Sequence, residues 1–171
     1  MILRIAKIAT AFSIAAFFTL VTFGNLTDYG TNLAFVQHVM AMDTIFATSS
    51  IKNRAITDPA VHHAAYGLII VAQATVSALC WAGVFRLLWR VRDDAARFNR
   101  SKDLIVVALT LGFLLYQFGF VTIAGEWFGM WMSQQWNGVP SAFRFVVTII
   151  AVLIFVSLPD SELAHVDRTR D

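Results

Sequence analysis

The chain has 171 residues, of which 58% are hydrophobic and only 14% are charged. Because soluble domains carry about 25% charged residues, this composition excludes an ordinary soluble protein and indicates an integral membrane protein. The formal net charge of +2 gives no argument for a nucleic-acid partner, and the single cysteine excludes an internal disulfide. We therefore expect one all-α, polytopic membrane domain over residues 1–171, and its main partner is the lipid bilayer in which it is embedded.

Four long apolar stretches predict four transmembrane helices. They lie at about residues 5–24, 60–89, 103–126 and 141–158. The first stretch follows Arg4 and Lys7, which is also the pattern of a signal peptide. The apolar run is longer than a signal peptide needs, so we favour an uncleaved first span. Cleavage is the alternative and would leave three spans.

A short extra helix is predicted in the segment 25–58, which joins the first two spans. Apolar residues recur there with helical spacing at Phe35, Val39, Met42 and Phe46. A helix over residues 32–46 would be too short and too polar to cross a bilayer, so we expect its apolar stripe to face inward. Together with residues 127–140, which join the third and fourth spans, this segment is expected to form a cap on the bundle.

The distribution of lysine and arginine predicts the orientation. Ten of the 13 basic residues lie beside the two termini or the loop 90–102, and three lie on the side of the cap. Because cytoplasmic loops carry an excess of lysine and arginine, we expect both termini, the loop 90–102 and the tail 159–171 to be cytoplasmic. The cap then faces outward.

Several strings in and beside the cap carry a resemblance. They are FVQHVMAMDT at 35–44, AITDP at 55–59, HHAA at 62–65, GEWFGMWMS at 125–133, WNG at 136–138 and AFR at 142–144. They resemble a bacterial family of predicted small integral membrane proteins, a four-span domain of unknown function, over nearly the whole chain. The resemblance implies the inner membrane, chiefly of Gram-negative bacteria, and hence a periplasmic cap. It implies no activity, substrate or cofactor.

The candidate ligands for a cofactor gather in the predicted cap. Imidazole and thioether sulfur suit copper(I), and the weak candidates are His38, Met42, His62 and Met130. The candidates for binding haem b or a quinone are His38, His62, His63 and Glu126. Neighbouring helical residues point about 100° apart, so His62 and His63 cannot both bind one metal. We predict no cofactor, with haem b, copper and quinone as alternatives.

A structural ion pair is predicted between Glu126 and Arg144. Glu126 ends the third apolar stretch and Arg144 lies in the first turns of the fourth. Antiparallel neighbouring helices would bring both residues to the same depth, where charged side chains are usually paired.

The function predicted from these patterns is an interaction role. The sequence contains no phosphate-binding loop, nucleophile elbow or zinc-protease motif, so we do not expect an enzyme acting alone. The predicted rim is dense in aromatic residues and methionine, which are favoured at interfaces. The leading hypothesis is therefore a small accessory subunit whose cap docks on a membrane or periplasmic protein, with a homo-oligomer left open. The alternative is a redox role with metal, haem or quinone bound at the periplasmic face.

Overall fold

The computed structural model describes residues 1–162 and confirms the all-α fold. The helices are α1 (Ile2–Thr27), α2 (Tyr29–Ala41), α3 (Pro59–Trp89), α4 (Ala95–Arg100), α5 (Asp103–Leu114) and α6 (Val139–Ser157). A π-helical segment, Leu115–Trp127, continues α5, and short 3-10 turns lie at Ser50–Arg54 and Met130–Met132. Residues 163–171 of the predicted tail lie outside the described residues.

Four helices in the described chain are long and apolar enough to cross a membrane: α1, α3, α5 with its π-helical continuation, and α6. α1 and α5 each pack against both α3 and α6. Buried side chains of α1 and α5 meet in the core that all four helices share. The outward faces are also apolar, with Leu68 71% exposed and Phe118 59% exposed. An exposed apolar surface of this extent fits hydrocarbon rather than water, so the chain is an integral membrane protein.

Small residues let the helices approach closely in the core. A Cβ atom added to Gly83 of α3 would lie 2.8 Å from the Cβ of Ile105 on α5. A Cβ added to Gly112 would lie 2.9 Å from the ring of Phe18 on α1. Small residues at such crossings are the usual means by which membrane helices gain packing contacts. Cys80 is fully buried in the same core and acts there as a small apolar side chain.

A line of hydrogen bonds joins α1 to α3 along the contact between the two helices. The Asn25 amide donates to Gln73 Oε1 at 2.6 Å, and the hydroxyls of Thr19 and Ser77 lie 2.9 Å apart. The indole of Trp81 donates to the Thr19 hydroxyl at 2.9 Å. These polar side chains satisfy one another, and such hydrogen bonds between helices stabilise their association in the membrane.

The extra helix α2 is shorter than the predicted helix 32–46. It ends at Ala41, because Met42 adopts a left-handed backbone with φ 52°. The Ile56 amide donates to the Met40 carbonyl at 2.8 Å, which satisfies a carbonyl that the helix leaves unpaired. Phe46 therefore lies beyond the helix and is 52% exposed, so its predicted inward position is wrong.

Candidate functional site

The methionines of the cap form a packed apolar cluster. Met42 and Met130 are each 1% exposed and lie in one buried group with Val39, Ile45 and Phe128. The cluster fastens the end of α2 to the segment that follows the π-helix. Flexible thioether side chains fill irregular apolar gaps well, so packing explains both residues.

His38 lies at the surface of the cap with two partners of its own. Its Nδ1 is 2.7 Å from Asp43 Oδ2. Its ring also stacks on Trp136, with a centroid separation of 4.4 Å and an interplanar angle of 13°. These contacts hold the imidazole against the outer loop and turn one ring nitrogen toward a carboxylate.

The two histidines of α3 have separate partners, as their spacing predicts. His62 is 4% exposed, and its Nε2 lies 2.7 Å from the Ile56 carbonyl. Because a carbonyl can only accept, Nε2 carries the proton in this contact. The Nδ1 of His63 is instead 2.9 Å from the hydroxyl of Tyr29, and the imidazole ring of His63 stacks on the ring of Tyr29. Asp58 caps the same helix by accepting from Ala60 N at 2.8 Å.

The structure does not gather the predicted ligands into a metal site. Within residues 1–162, no three side chains from histidine, cysteine, aspartate and glutamate converge on one position. Met42 and Met130 share a cluster, but His38 and His62 are engaged elsewhere. The chemistry available at the cap is therefore mainly apolar and aromatic contact.

The structure also does not bring Glu126 and Arg144 together. Both residues are exposed, and no salt bridge within 4.0 Å joins them in the described part of the chain. The inward face of α6 carries Ala142 and Val146, so Arg144 points to the opposite, exposed side. The same depth in the membrane was not sufficient for an ion pair, because both side chains must also lie on the faces by which the two helices contact each other.

Three large aromatic side chains of the cap are about half exposed, and we call them the exposed aromatic patch: Phe46, Trp127 and Trp131, each between 47% and 54% exposed. The rings of Phe46 and Trp131 meet edge to face at 5.9 Å. The guanidinium of Arg54 lies 4.6 Å from the centre of a Trp127 ring and donates to the Trp127 carbonyl at 3.2 Å. Arg54 was not among the predicted site residues, and its only signal in the sequence was its position among the few basic residues of the cap.

An apolar groove of about 660 Å³ lies below the cap, where α3 diverges from the π-helical segment. Phe35 and Met40 of α2 border it on the side of the cap, and Leu111 lies at its deep end. Thr75 supplies the single side-chain hydroxyl of the lining, and this hydroxyl already donates to the Val71 carbonyl at 2.8 Å. The groove can therefore hold a hydrocarbon chain but offers little to a polar headgroup.

The opposite end of the bundle contains a buried charge cluster formed by Lys7, Lys102 and Asp160. Both ammonium groups contact Oδ2 of Asp160, at 2.7 Å for Lys7 and 2.6 Å for Lys102. The three side chains are only 3% to 6% exposed. Both lysines also donate to the Leu158 carbonyl. The cluster ties α1, the start of α5 and the end of α6 together.

Two neighbours extend this cluster through the backbone. The Asn99 side chain exchanges hydrogen bonds with the backbone of Asp160, both at 2.9 Å. The buried Arg4 donates to the Asp93 carbonyl at 2.6 Å, and its guanidinium lies 4.5 Å from the centre of the Phe98 ring. Residues 160–162, predicted as part of a cytoplasmic tail, are thus packed onto the bundle, and Glu162 accepts from Ala95 N at the start of α4.

The electrostatics of the cluster favour an ionised Asp160. Burial raises the pKa of its carboxyl, but the hydrogen bonds and charges of Lys102 and Lys7 outweigh burial and hold the pKa below its ordinary value of 3.8. Since the charged atoms are almost fully enclosed, we interpret the cluster as a structural clamp rather than a site for a ligand.

Comparison with known proteins gives one family. A family model described as predicted small integral membrane protein (DUF2165) matches residues 3–159. This match includes the four long helices, the cap and most of the buried charge cluster. No curated protein and no solved structure matches the chain.

Proposed function

Because the chain belongs to the family of predicted small integral membrane proteins (DUF2165), we propose a role that such a protein performs within the bilayer. The proposed role is that of an accessory subunit whose cap docks on a second integral membrane protein. The proposal includes the inner membrane of a bacterium, cytoplasmic termini and a periplasmic cap. The excess of basic residues on the side of the termini supports this orientation.

The observation that carries the docking proposal is the exposed aromatic patch. Phe46, Trp127 and Trp131 remain about half exposed although the cap contains its own buried methionine cluster. Tryptophan and arginine are enriched where interfaces derive most of their binding energy, and Arg54 lies against Trp127. Trp127 also ends a membrane-crossing helix, so the patch adjoins the lipid-facing surface. A partner that is itself embedded in the membrane fits this position best.

Site-specific photo-crosslinking in native membranes tests this proposal. A photoreactive residue at position 131 should form an adduct of one defined protein mass, and Phe46→Ser in the same chain should abolish it. Phe143 is 59% exposed on the lipid-facing side of α6 and provides the matched control position. An aromatic belt that only contacts headgroups would give lipid adducts alone at both positions, which would refute docking.

The proposed orientation has its own test. Ser50 and Ala96 are both exposed, the first in the cap and the second in α4 at the opposite end. With the buried Cys80 replaced by alanine, an impermeant thiol reagent added to intact cells should label Ser50→Cys and leave Ala96→Cys unlabelled until the membrane is opened. Labelling in the reverse order would contradict the orientation.

A quinone-binding redox role is the second candidate, and the apolar groove below the cap favours it. Because its lining offers little to a polar headgroup, the groove would hold only the hydrocarbon tail and leave the headgroup at the end near the cap, beyond Phe35 and Phe128. Copper or haem b receives less support, because His38, His62 and His63 have separate partners. If the protein binds a quinone, solvent extraction of the gently purified protein should yield a quinone in stoichiometric amount. Extraction of phospholipid alone would contradict the quinone-binding role.

A further inference from the structure

A second cleft lies at the end opposite the cap. It has a volume of about 530 Å³ and is lined by Arg86, Arg90, Arg97, Arg100 and Ser101. Arg86 lies in the last turn of α3 and Arg90 directly follows it, whereas Arg97 and Arg100 belong to α4. The short turn between these helices therefore brings four guanidinium groups to one cavity. We call this feature the arginine cleft.

Only two of the four arginines have carboxylate partners in the described chain. Arg90 lies 2.9 Å from Asp93 and Arg97 lies 3.4 Å from Asp94. Within residues 1–162, Arg86 and Arg100 have no carboxylate within 4.0 Å. Their hydrogen bonds are long contacts to backbone carbonyls, at 3.4 Å for Arg86 and 3.3 Å for Arg100.

The helix ends account for only a part of this positive charge. The C-terminus of an α-helix carries roughly half a negative charge, and α4 is a helix of 6 residues. The two guanidinium groups without carboxylate partners carry more positive charge than the partial negative charges of these helix ends can balance. The cleft is therefore suited to an anion, and the planar guanidinium fork matches the oxygens of a phosphate group.

The surroundings of the cleft indicate where such an anion comes from. On the last turns of α3, Phe85 is 61% exposed and Trp89 is 85% exposed. These apolar side chains continue the lipid-facing surface up to the level of Arg86 and Arg90. An exposed tryptophan at the end of a membrane-crossing helix is typical of the headgroup region. A ligand with a phosphate group and hydrocarbon chains can contact both surfaces at once.

We propose that the arginine cleft binds the phosphate headgroup of an anionic phospholipid, with Arg86 and Arg100 holding the phosphate. The acyl chains lie along Phe85 and Trp89 in the adjoining leaflet. Basic pockets at the ends of transmembrane helices bind anionic lipids by this combination of charge and apolar contact. The proposal is independent of docking through the cap, since the two surfaces lie at opposite ends of the bundle.

Native mass spectrometry of the full-length protein in a nonionic detergent tests the proposal. Titrated phosphatidylglycerol should form a one-to-one adduct at concentrations where phosphatidylcholine does not. The double variant Arg86→Gln/Arg100→Gln should bind it about 30-fold more weakly, because each arginine near an anionic headgroup strengthens binding about fivefold. Arg92→Gln, an exposed arginine of the same loop that does not line the cleft, should bind like the wild type.

Two further arms make the result decisive. Arg86→Lys/Arg100→Lys keeps the charge without the planar fork, so it should show intermediate affinity even if the glutamine variant folds poorly. Inorganic phosphate at millimolar concentration should compete weakly, because it lacks acyl chains. Equal binding by wild type and both double variants would overturn the proposal, as would an equal loss in Arg92→Gln. Binding of inorganic phosphate without any preference for the lipid would overturn the lipid assignment.

Discussion

Asp160→Asn tests whether the buried charge cluster holds the three helices together. The carboxylate is the partner of two ammonium groups at 2.7 Å and 2.6 Å, and all three side chains are at most 6% exposed. Asparagine keeps an oxygen acceptor of similar size but removes the negative charge, leaving Lys7 and Lys102 enclosed and facing each other. Removing one partner of a buried ion pair costs about 3–5 kcal/mol.

The cost should be visible in thermal unfolding of the purified protein in detergent, followed by tryptophan fluorescence. At about 2–4 °C per kcal/mol for a chain of this size, Asp160→Asn should lower Tm by about 6–20 °C. Asp103→Asn is the matched control, because Asp103 is an exposed carboxylate at the same end of the bundle. It should change Tm by no more than about 4 °C, since a single charge near a helix start contributes at most about 1 kcal/mol.

Equal Tm values for the two variants would refute the clamp. The triple variant Lys7→Met/Lys102→Met/Asp160→Leu separates the loss of a partner from the loss of the whole cluster. Apolar replacement of a complete buried ion pair is often neutral or stabilising, so the triple variant should recover much of the stability that Asp160→Asn loses.

The remaining predictions concern pH and helix packing. The pKa of Asp160 in the folded protein lies below 3.8, so the stability that its charge contributes is fully present above pH 3.8. This contribution is lost as the pH falls through the folded pKa. The Tm difference between wild type and Asp160→Asn should therefore shrink in acid. Gly83→Ala should lower Tm, since its Cβ would meet the Ile105 backbone at 3.0 Å, whereas Gly67→Ala, with nothing within 4 Å, should not. Gln73→Leu should lower the free energy of unfolding by about 1 kcal/mol in reversible denaturation, because it leaves the half-buried Asn25 amide of α1 without its acceptor.

The four long helices could be predicted because each apolar run is uninterrupted and bounded by polar residues. The start of α3 also has a local cause, since Asp58 caps the helix and Pro59 occupies its first turn. The end of α2 could not be predicted in this way. The helix ends at a left-handed Met42, and its Met40 carbonyl accepts from Ile56, which is distant in sequence and has no local signal.

Charged residues near the ends of the helices were the least predictable, because depth alone does not determine a partner. Glu126 and Arg144 were expected to pair but lie on exposed sides, whereas Asp160 was assigned to a cytoplasmic tail and is buried against two lysines. A signal was present in retrospect: Lys7 lies within a membrane-crossing helix, where an ammonium group needs a counter-charge. The sequence does not identify which of several nearby acids provides it.

The most direct test of docking through the cap is the size of the native complex. Membranes solubilised gently with their own lipids should yield the wild-type protein in a discrete complex larger than the lipid-bound protomer, without a haem absorption band. Phe46→Ser/Trp131→Ser should move it to the size of the protomer, whereas Phe143→Ser, on the lipid-facing side of α6, should leave the complex intact. A protein that runs as the protomer in all three forms would contradict the account.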